Sequence, residues 1–387
     1  MTTIRSALAV TLTCCLLIHS SPALAEDTRL DLSRLFRDPL AFVSGPGQEP
    51  ETLGADSLQS GDPSDDPAHW YVDRSIAYEP YFTRAHWAIP SPMKANNNVS
   101  IGFHEGRLFA AWRSAPTHFA SKKTRMYIIS SDDGGRSWDS EHEIHLGSDM
   151  REPLLLSVAG KLQFYFFEAG TNPVAFEPKH LWRFERVRQG EWAGPFQAGE
   201  PGDVPWDLKL RGGKAWLTSY NGGHYGAGQA NVAVNFKVSD DGVNWRPVGP
   251  NGPVVYRGGV SEAAFEFDRH GNLWGVTRNE DGDDTGFGSH VVTARAGALH
   301  DWKFPAKSDR ERYDSPKMFR HGDELYMIAR RDIGGPFDKR WTWLIKPLRK
   351  IAYWVAYSLR PKRTALYKID QRRKKVVFIQ DLPSNGD

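Results

Sequence analysis

Ala263-Ala264-Phe265-Glu266-Phe267, then Asp268-Arg269-His270-Gly271, then Asn272-Leu273-Trp274-Gly275-Val276, reads as strand, tight turn and strand. Aromatic and β-branched residues fill the two runs, and Asp and Gly punctuate them. The same pattern returns at 154–167 around Gly160, at 208–219 around Gly212-Gly213 and at 316–329 around Gly322. A third strand follows each hairpin, as at 126–130 and 232–238, and then a fourth that carries a Trp. Three sets of residues share one period. Trp138, Trp192, Trp245 and Trp302 lie 54, 53 and 57 residues apart. Glu152, Asp207, Glu262 and Asp314 lie 55, 55 and 52 apart. Arg113, Glu168, Tyr220, Arg278 and Arg330 lie 55, 52, 58 and 52 apart. Three sets in phase define a unit of about 55 residues, longer than the ~40–50 of common propeller repeats. A four-stranded antiparallel unit repeated around an axis is a propeller blade, so the expected fold is an all-β propeller.

Composition agrees. The chain has 387 residues, of which 40% are hydrophobic and 25% charged, which excludes wholesale disorder. Fourteen Trp, 36 Gly and 25 Pro supply the anchors and turns of an all-β protein. A net charge of +2 gives no basic field for nucleic acid. Arg5, the apolar run 7–18 and Ala23-Leu24-Ala25 have the form of a cleavable export signal. The expected organisation is a signal peptide over 1–25, an N-terminal segment and linker over 26–69, and a propeller over 70–387. The protein is then exported, periplasmic or secreted. Cys14 and Cys15 both fall in the signal, so the mature chain has no thiol for a disulfide, a zinc site or a nucleophile.

Two turns carry a more specific motif. Ser131-Asp132-Asp133-Gly134-Gly135-Arg136-Ser137-Trp138 fits S-x-D-x-G-x-[ST]-W, and Ser239-Asp240-Asp241-Gly242-Val243-Asn244-Trp245 is a shorter form. An Asp carboxylate there satisfies turn N–H groups and Gly takes positive φ. This is the Asp box, and over about 95–387 the chain resembles the sialidase-like, or BNR-repeat, propeller superfamily. The resemblance extends to Glu262 at one strand start and Arg278 ending the next. It implies a Glu that polarises a Tyr nucleophile, an Arg that clamps a substrate carboxylate, and a further arginine at Arg330. It also implies six blades, five of which are clear here. The segment matching the family's first arginine reads Trp87-Ala88-Ile89-Pro90, and the first-blade loop Arg113-Ser114-Ala115-Pro116-Thr117-His118 has no carboxylate.

The Asp-box turns join third and fourth strands and mark one rim. First-strand starts and second-strand ends then share the other rim. That mouth gathers Glu262, Asp207 and Tyr220 as candidate catalytic residues. Arg278, Arg330, Arg113, Arg151, Glu152 and Asp314 are the candidate substrate-binding residues. Glycoside hydrolysis uses a pair of carboxyl groups, and crowding of like charges raises one pKa to suit a general acid. The expected activity is a glycoside hydrolase on an acidic or polar sugar, with Glu262 central. The other reading is a non-catalytic propeller that binds glycan or protein at the cell envelope. Carbohydrate is the expected partner, with no nucleic acid, no cofactor and no metal. Glu280-Asp281-Gly282-Asp283-Asp284 reads as a solvated acidic turn. The insert at about 334–363 has helical spacing at Leu344, Leu348, Ile351 and Val355. From Lys346 to Lys375 there are eleven Lys or Arg and one acid, so the insert is a lid, a membrane-surface contact or a rim helix.

Overall fold

In a computed structural model, the chain divides into two units, Met1–Gly61 and Asp62–Asp387. The structure describes residues 92–382 apart from 174, 225–230, 305–308, 310, 333–340, 342, 360 and 361. The signal peptide, the linker and the 87–90 segment lie outside the described residues.

Five antiparallel sheets follow one another along the chain as blades of a propeller. Blade 1 is β1 (Ala95–His104), β2 (Arg107–Ala115), β3 (Arg125–Ser131) and β4 (Asp139–Ile144). Blade 2 is β5 (Met150–Val158), β6 (Lys161–Glu168), β7 (Leu181–Arg188) and β8 (Glu191–Gln197). Blade 3 is β9 (Val204–Arg211), β10 (Lys214–Gly223) and β11 (Asn231–Ser239), edged by β12 (Arg246–Pro247) and β13 (Val254–Gly258). Blade 4 is β14 (Val260–Phe267), β15 (Leu273–Asn279) and β16 (Val291–Ala294). Its fourth strand shrinks to a Thr293–Lys303 bridge beside Trp302. Blade 5 is β17 (Asp314–His321), β18 (Glu324–Asp332), β19 (Lys362–Asp370) and β20 (Lys375–Asp381). The insert folds as one helix, α1 (Lys346–Leu359), between β18 and β19. A sixth blade is not present among the described residues.

The core lies between blades. Phe109, Ile128, Phe164 and Trp192 join blades 1 and 2. Leu154, Tyr165 and Leu217, with Trp245 against them, join blades 2 and 3. Phe236, Phe265 and Trp302 join blades 3 and 4, and Val276, Met327 and Tyr367 join blades 4 and 5. A strand covered on both faces is buried at consecutive positions, whereas one covered on a single face alternates. Leu154, Leu155 and Leu156 of β5 and nearly all of β14 are of the first kind, whereas β1 and β17 alternate.

The turns at 131–138 and 239–245 close third-to-fourth-strand hairpins. The Asp133 carboxylate accepts the Ser137 N–H at 2.8 Å and the Ser131 hydroxyl at 2.7 Å. Asp241 accepts the N–H groups of Val243 and Asn244, each at 2.8 Å. Gly135 and Gly242 take positive φ, and each N–H donates to the first Ser of its turn.

Candidate functional site

The mouth is built on a repeated irregularity. Each innermost strand has a break in register near its start: between Asn97 and Ser100, Arg151 and Leu154, Val260 and Ala263, and Asp314 and Lys317. In blade 3 it leaves Trp206 unpaired, between Pro205 and Asp207. Asn98, Glu152 and Ser315 take φ of 54°, 52° and 51° at these bulges. A bulge re-aims a side chain that a regular strand would direct into the blade interface. Pro153, Pro205 and Pro316 mark three of the five breaks, as proline does in strands.

These bulges bring the carboxylates together. Glu152 accepts Asn98 Nδ2 at 2.9 Å. Burial and the nearby charge of Glu262 push its carboxyl up to about 7, against the pull of Lys317 and Arg151. Glu262 accepts Arg278 Nη1 at 2.6 Å and the Ser315 N–H at 2.8 Å. Asp207 accepts the Phe265 N–H at 3.1 Å and lies 3.0 Å from Lys209 Nζ. Lys317 stands among Glu152, Asp207 and Glu262 and donates to the Trp206 carbonyl, 4.5 Å from the Trp206 ring centroid. Trp206 Nε1 donates to the Pro316 carbonyl at 3.1 Å, which ties the inner strands of blades 3 and 5 together.

The arginines have other partners. Arg113 is fully buried, with Asp149 at 2.7 and 2.9 Å. Arg151 also binds Asp149, at 2.6 Å, and reaches the His118 carbonyl. Arg278 spreads its fork over Glu262, Glu280 at 2.8 Å and Asp314 at 2.6 Å. Asp314 also pairs with Arg312 at 3.0 Å, and Arg330 stands across the ladder from Asp314. Tyr220 is buried edge-on to His224, with centroids 5.8 Å apart.

A second cluster continues outward. His224 Nδ1 lies 2.5 Å from Asp281, and Nε2 lies 3.6 Å from Glu280. Lys350 of α1 pairs with Asp281, and Lys346 donates to the Asp283 carbonyl at 3.2 Å. Arg349 lies over Phe287 and Tyr353 packs on the same ring, so three basic side chains of α1 meet the propeller. The 280–284 turn is therefore not a solvated acidic turn. Glu280 and Asp281 are buried because Arg278, His224 and Lys350 enclose them. An open surface cleft of about 710 Å³, lined by Asp268, Asp323, Lys368 and Arg372, sits on the opposite rim, away from these carboxylates.

Of the expected residues, Glu152, Asp207 and Glu262 share Lys317, and Arg278 and Asp314 join Glu262. Arg113 and Arg151 form a separate group on Asp149. Asp149, Lys317, Asn98 and His224 are not among the expected site residues, and Glu280 belongs to the turn expected to be solvated. Pro316, at the blade 5 bulge, is the sequence signal beside Lys317.

No protein-family model matches this chain, and no curated protein does. Several solved structures are similar. A family 117 glycoside hydrolase from the marine bacterium Zobellia galactanivorans is 12% identical over 62% of this chain and 79% of that one, with a TM-score of 0.41. Penicillium chrysogenum α-L-arabinanase, complexed with arabinobiose, is 15% identical over 60% of this chain and 74% of that one, at 0.41. Trypanosoma rangeli sialidase, in complex with sialic acid, is 13% identical over 72% of this chain and 47% of that one, at 0.44.

Proposed function

We propose that this chain is an exported glycoside hydrolase that acts on a polar, uncharged sugar at the mouth. The observation that carries the reading is the contrast between Glu152 and Glu262. Two carboxyl groups in one mouth, one held by a single amide and the other fixed by an arginine and a backbone N–H, are the working parts of acid and base catalysis. Among the described residues Glu152 accepts a hydrogen bond from Asn98, and its carboxyl is pushed up to about 7, so a large fraction carries a proton at neutral pH. It protonates the leaving glycosidic oxygen. Glu262, fixed by Arg278 and the Ser315 N–H, serves as base or nucleophile. Lys317 lies close to both glutamates and to Asp207.

The choice of an uncharged sugar rests on the arginines. A guanidinium fork binds a sugar carboxylate well only when the fork is presented to it. Arg113, Arg151 and Arg278 are each paired with protein carboxylates at 2.6–2.9 Å. The test is product release from a panel of neutral and acidic glycans, read by mass spectrometry. The parent is expected to release a neutral sugar, and Glu262→Gln to release none. Release of sialic or uronic acid by the parent would refute the substrate class. A folded parent that retains glycan without cleaving it would favour a binding propeller.

A further inference from the structure

Helix α1 presents the reverse of an ordinary surface helix. Lys346, Arg349, Lys350 and Tyr353 recur at the spacing of one helical face. That face meets the propeller. Lys346 donates to the Asp283 carbonyl and Lys350 pairs with Asp281, while Arg349 and Tyr353 each lie 5.1 Å from the Phe287 ring centroid. At 3.6 residues per turn, Leu348 and Ile351 point the other way, and Ile345, three residues before Leu348, extends their row. Ile345, Leu348 and Ile351 are 67%, 42% and 47% exposed, and Trp343, at the entry to the helix, is 80% exposed. Apolar residues exposed singly are ordinary, whereas a contiguous patch marks a surface that meets another body.

We propose that this row docks the protein on an anionic phospholipid bilayer, with α1 lying along the lipid surface. Charge chooses this occupant. Between Trp341 and Arg363 there are six Lys or Arg and no Asp or Glu. The propeller acids that α1 meets have other cations and donors as well: His224 beside Asp281, and His290 and Tyr256 beside Asp283. An excess of cations around an apolar row suits an acidic membrane surface. In a symmetric pair of copies the same patch faces itself, which sets cation against cation. Composition agrees, since a Trp at the end of an Ile and Leu row is the aromatic that settles at headgroup depth. With 14 residues, α1 falls short of the ~20 that span a bilayer, so it lies on the surface.

The docking row belongs to the rim of the mouth. The insert leaves the end of β18 and returns to the start of β19. Lys350 meets Asp281, Asp281 meets His224, and His224 lies 3.6 Å from Glu280. Glu280 shares Arg278 with Glu262, at 2.8 and 2.6 Å. A helix seated on lipid therefore brings the rim to the headgroups, and a row of charged pairs runs from that helix to Glu262.

The test uses the full chain with Cys14 and Cys15 replaced by serine, so that an added cysteine is the single thiol. An environment-sensitive fluorophore is attached at Ile351→Cys or, as the control, at Val243→Cys, a 42% exposed position on the opposite rim. The probe reports its own position, so binding through another segment does not imitate docking by α1. With phosphatidylcholine vesicles that contain phosphatidylglycerol, the 351 probe should shift to the blue and be quenched by nitroxide-labelled lipid, while the 243 probe is unchanged. High salt, or vesicles of phosphatidylcholine alone, should weaken the response by at least about tenfold, as loss of the electrostatic attraction requires. Trp343→Ala with Ile345→Ser should lower the vesicle affinity of the 351-labelled protein by about tenfold or more, with thermal unfolding unmoved. In a folded monomer, a 351 probe that ignores the vesicles, responds no more than the 243 probe or binds both kinds of vesicle equally would overturn the proposal. A 351 probe already shifted to the blue without lipid, in a dimer by light scattering, would also overturn it and name a second copy as the occupant. None of these readouts depends on catalytic activity.

Discussion

The two rims of this propeller use carboxylates in opposite ways. On one rim, Asp133 and Asp241 are satisfied by N–H groups two to four residues away, within their own turns. The Asn244 and Val243 N–H groups hold Asp241 well below the ordinary carboxylate range. On the other rim, Glu152, Asp149, Glu262 and Asp314 are answered across blades, and burial together with the Glu262 charge drives Glu152 upward. A local turn satisfies an anion wherever the sequence places it. A crowded mouth sets anions against each other, and that opposition is what acid–base chemistry needs.

The sharpest way to break this contrast is to neutralise one carboxylate on each rim. Glu152→Gln and Glu262→Gln are each expected to lower kcat on the cleaved glycan by about 10²- to 10⁴-fold, the usual worth of a positioned acid or base. Asp133→Asn should leave turnover unchanged. Equal losses on the two rims would erase the distinction.

Stability sharpens it next. Asp149→Ala removes the shared acceptor of Arg113, Arg151 and Thr124 and strands a fully buried guanidinium. Breaking a buried pair from one side costs about 3–5 kcal/mol, measurable by urea unfolding. Asp241→Ala removes hydrogen bonds in an exposed turn, and its cost should be about 1 kcal/mol.

The pH dependence is a smaller effect with a definite sign. The folded-state value for Glu152, about 7, lies above its ordinary 4.5. The folded state therefore binds this proton more tightly than the unfolded chain does. The associated stability is complete below about pH 4.5 and is lost as pH rises through 7. Glu152→Gln should flatten that loss in unfolding curves collected between these limits. In the parent, kcat/KM should fall above pH 7 as the acid loses its proton. The smallest change expected is from Lys317→Met. It removes a positive charge that pulls Glu152 down, so the basic limb of the profile moves to higher pH.

The same contrast explains what the sequence disclosed. The 131–138 and 239–245 turns and the 263–276 hairpin are local, and their chemistry is written in consecutive residues. The 55-residue period followed from them, and with it the blades. The mouth was legible as a neighbourhood but not as a set of partners. Trp206 Nε1 meets the Pro316 carbonyl 110 residues away, and Arg113 meets Asp149 across 36. Bulges also slip the phase of the repeat. Asp207 pairs with Thr218 after its bulge and Asp314 with Arg330 before its own, while Glu152 and Glu262 fall inside theirs. Residues equally spaced in sequence therefore do not occupy equivalent places. The arginines were expected to face substrate because their charge was visible, whereas the carboxylates that engage them come partly from the next blade, as Asp149 does for Arg113 and Asp314 for Arg278.

The central claim, that one glutamate of the mouth holds its proton near neutrality, is tested most directly by a carbon-detected NMR titration of the glutamate side chains in the parent and in Glu152→Gln. The account predicts one carboxyl resonance that titrates near pH 7 in the parent and is missing from the variant. Every glutamate titrating in the ordinary carboxylate range, with nothing near neutrality lost in Glu152→Gln, would contradict it.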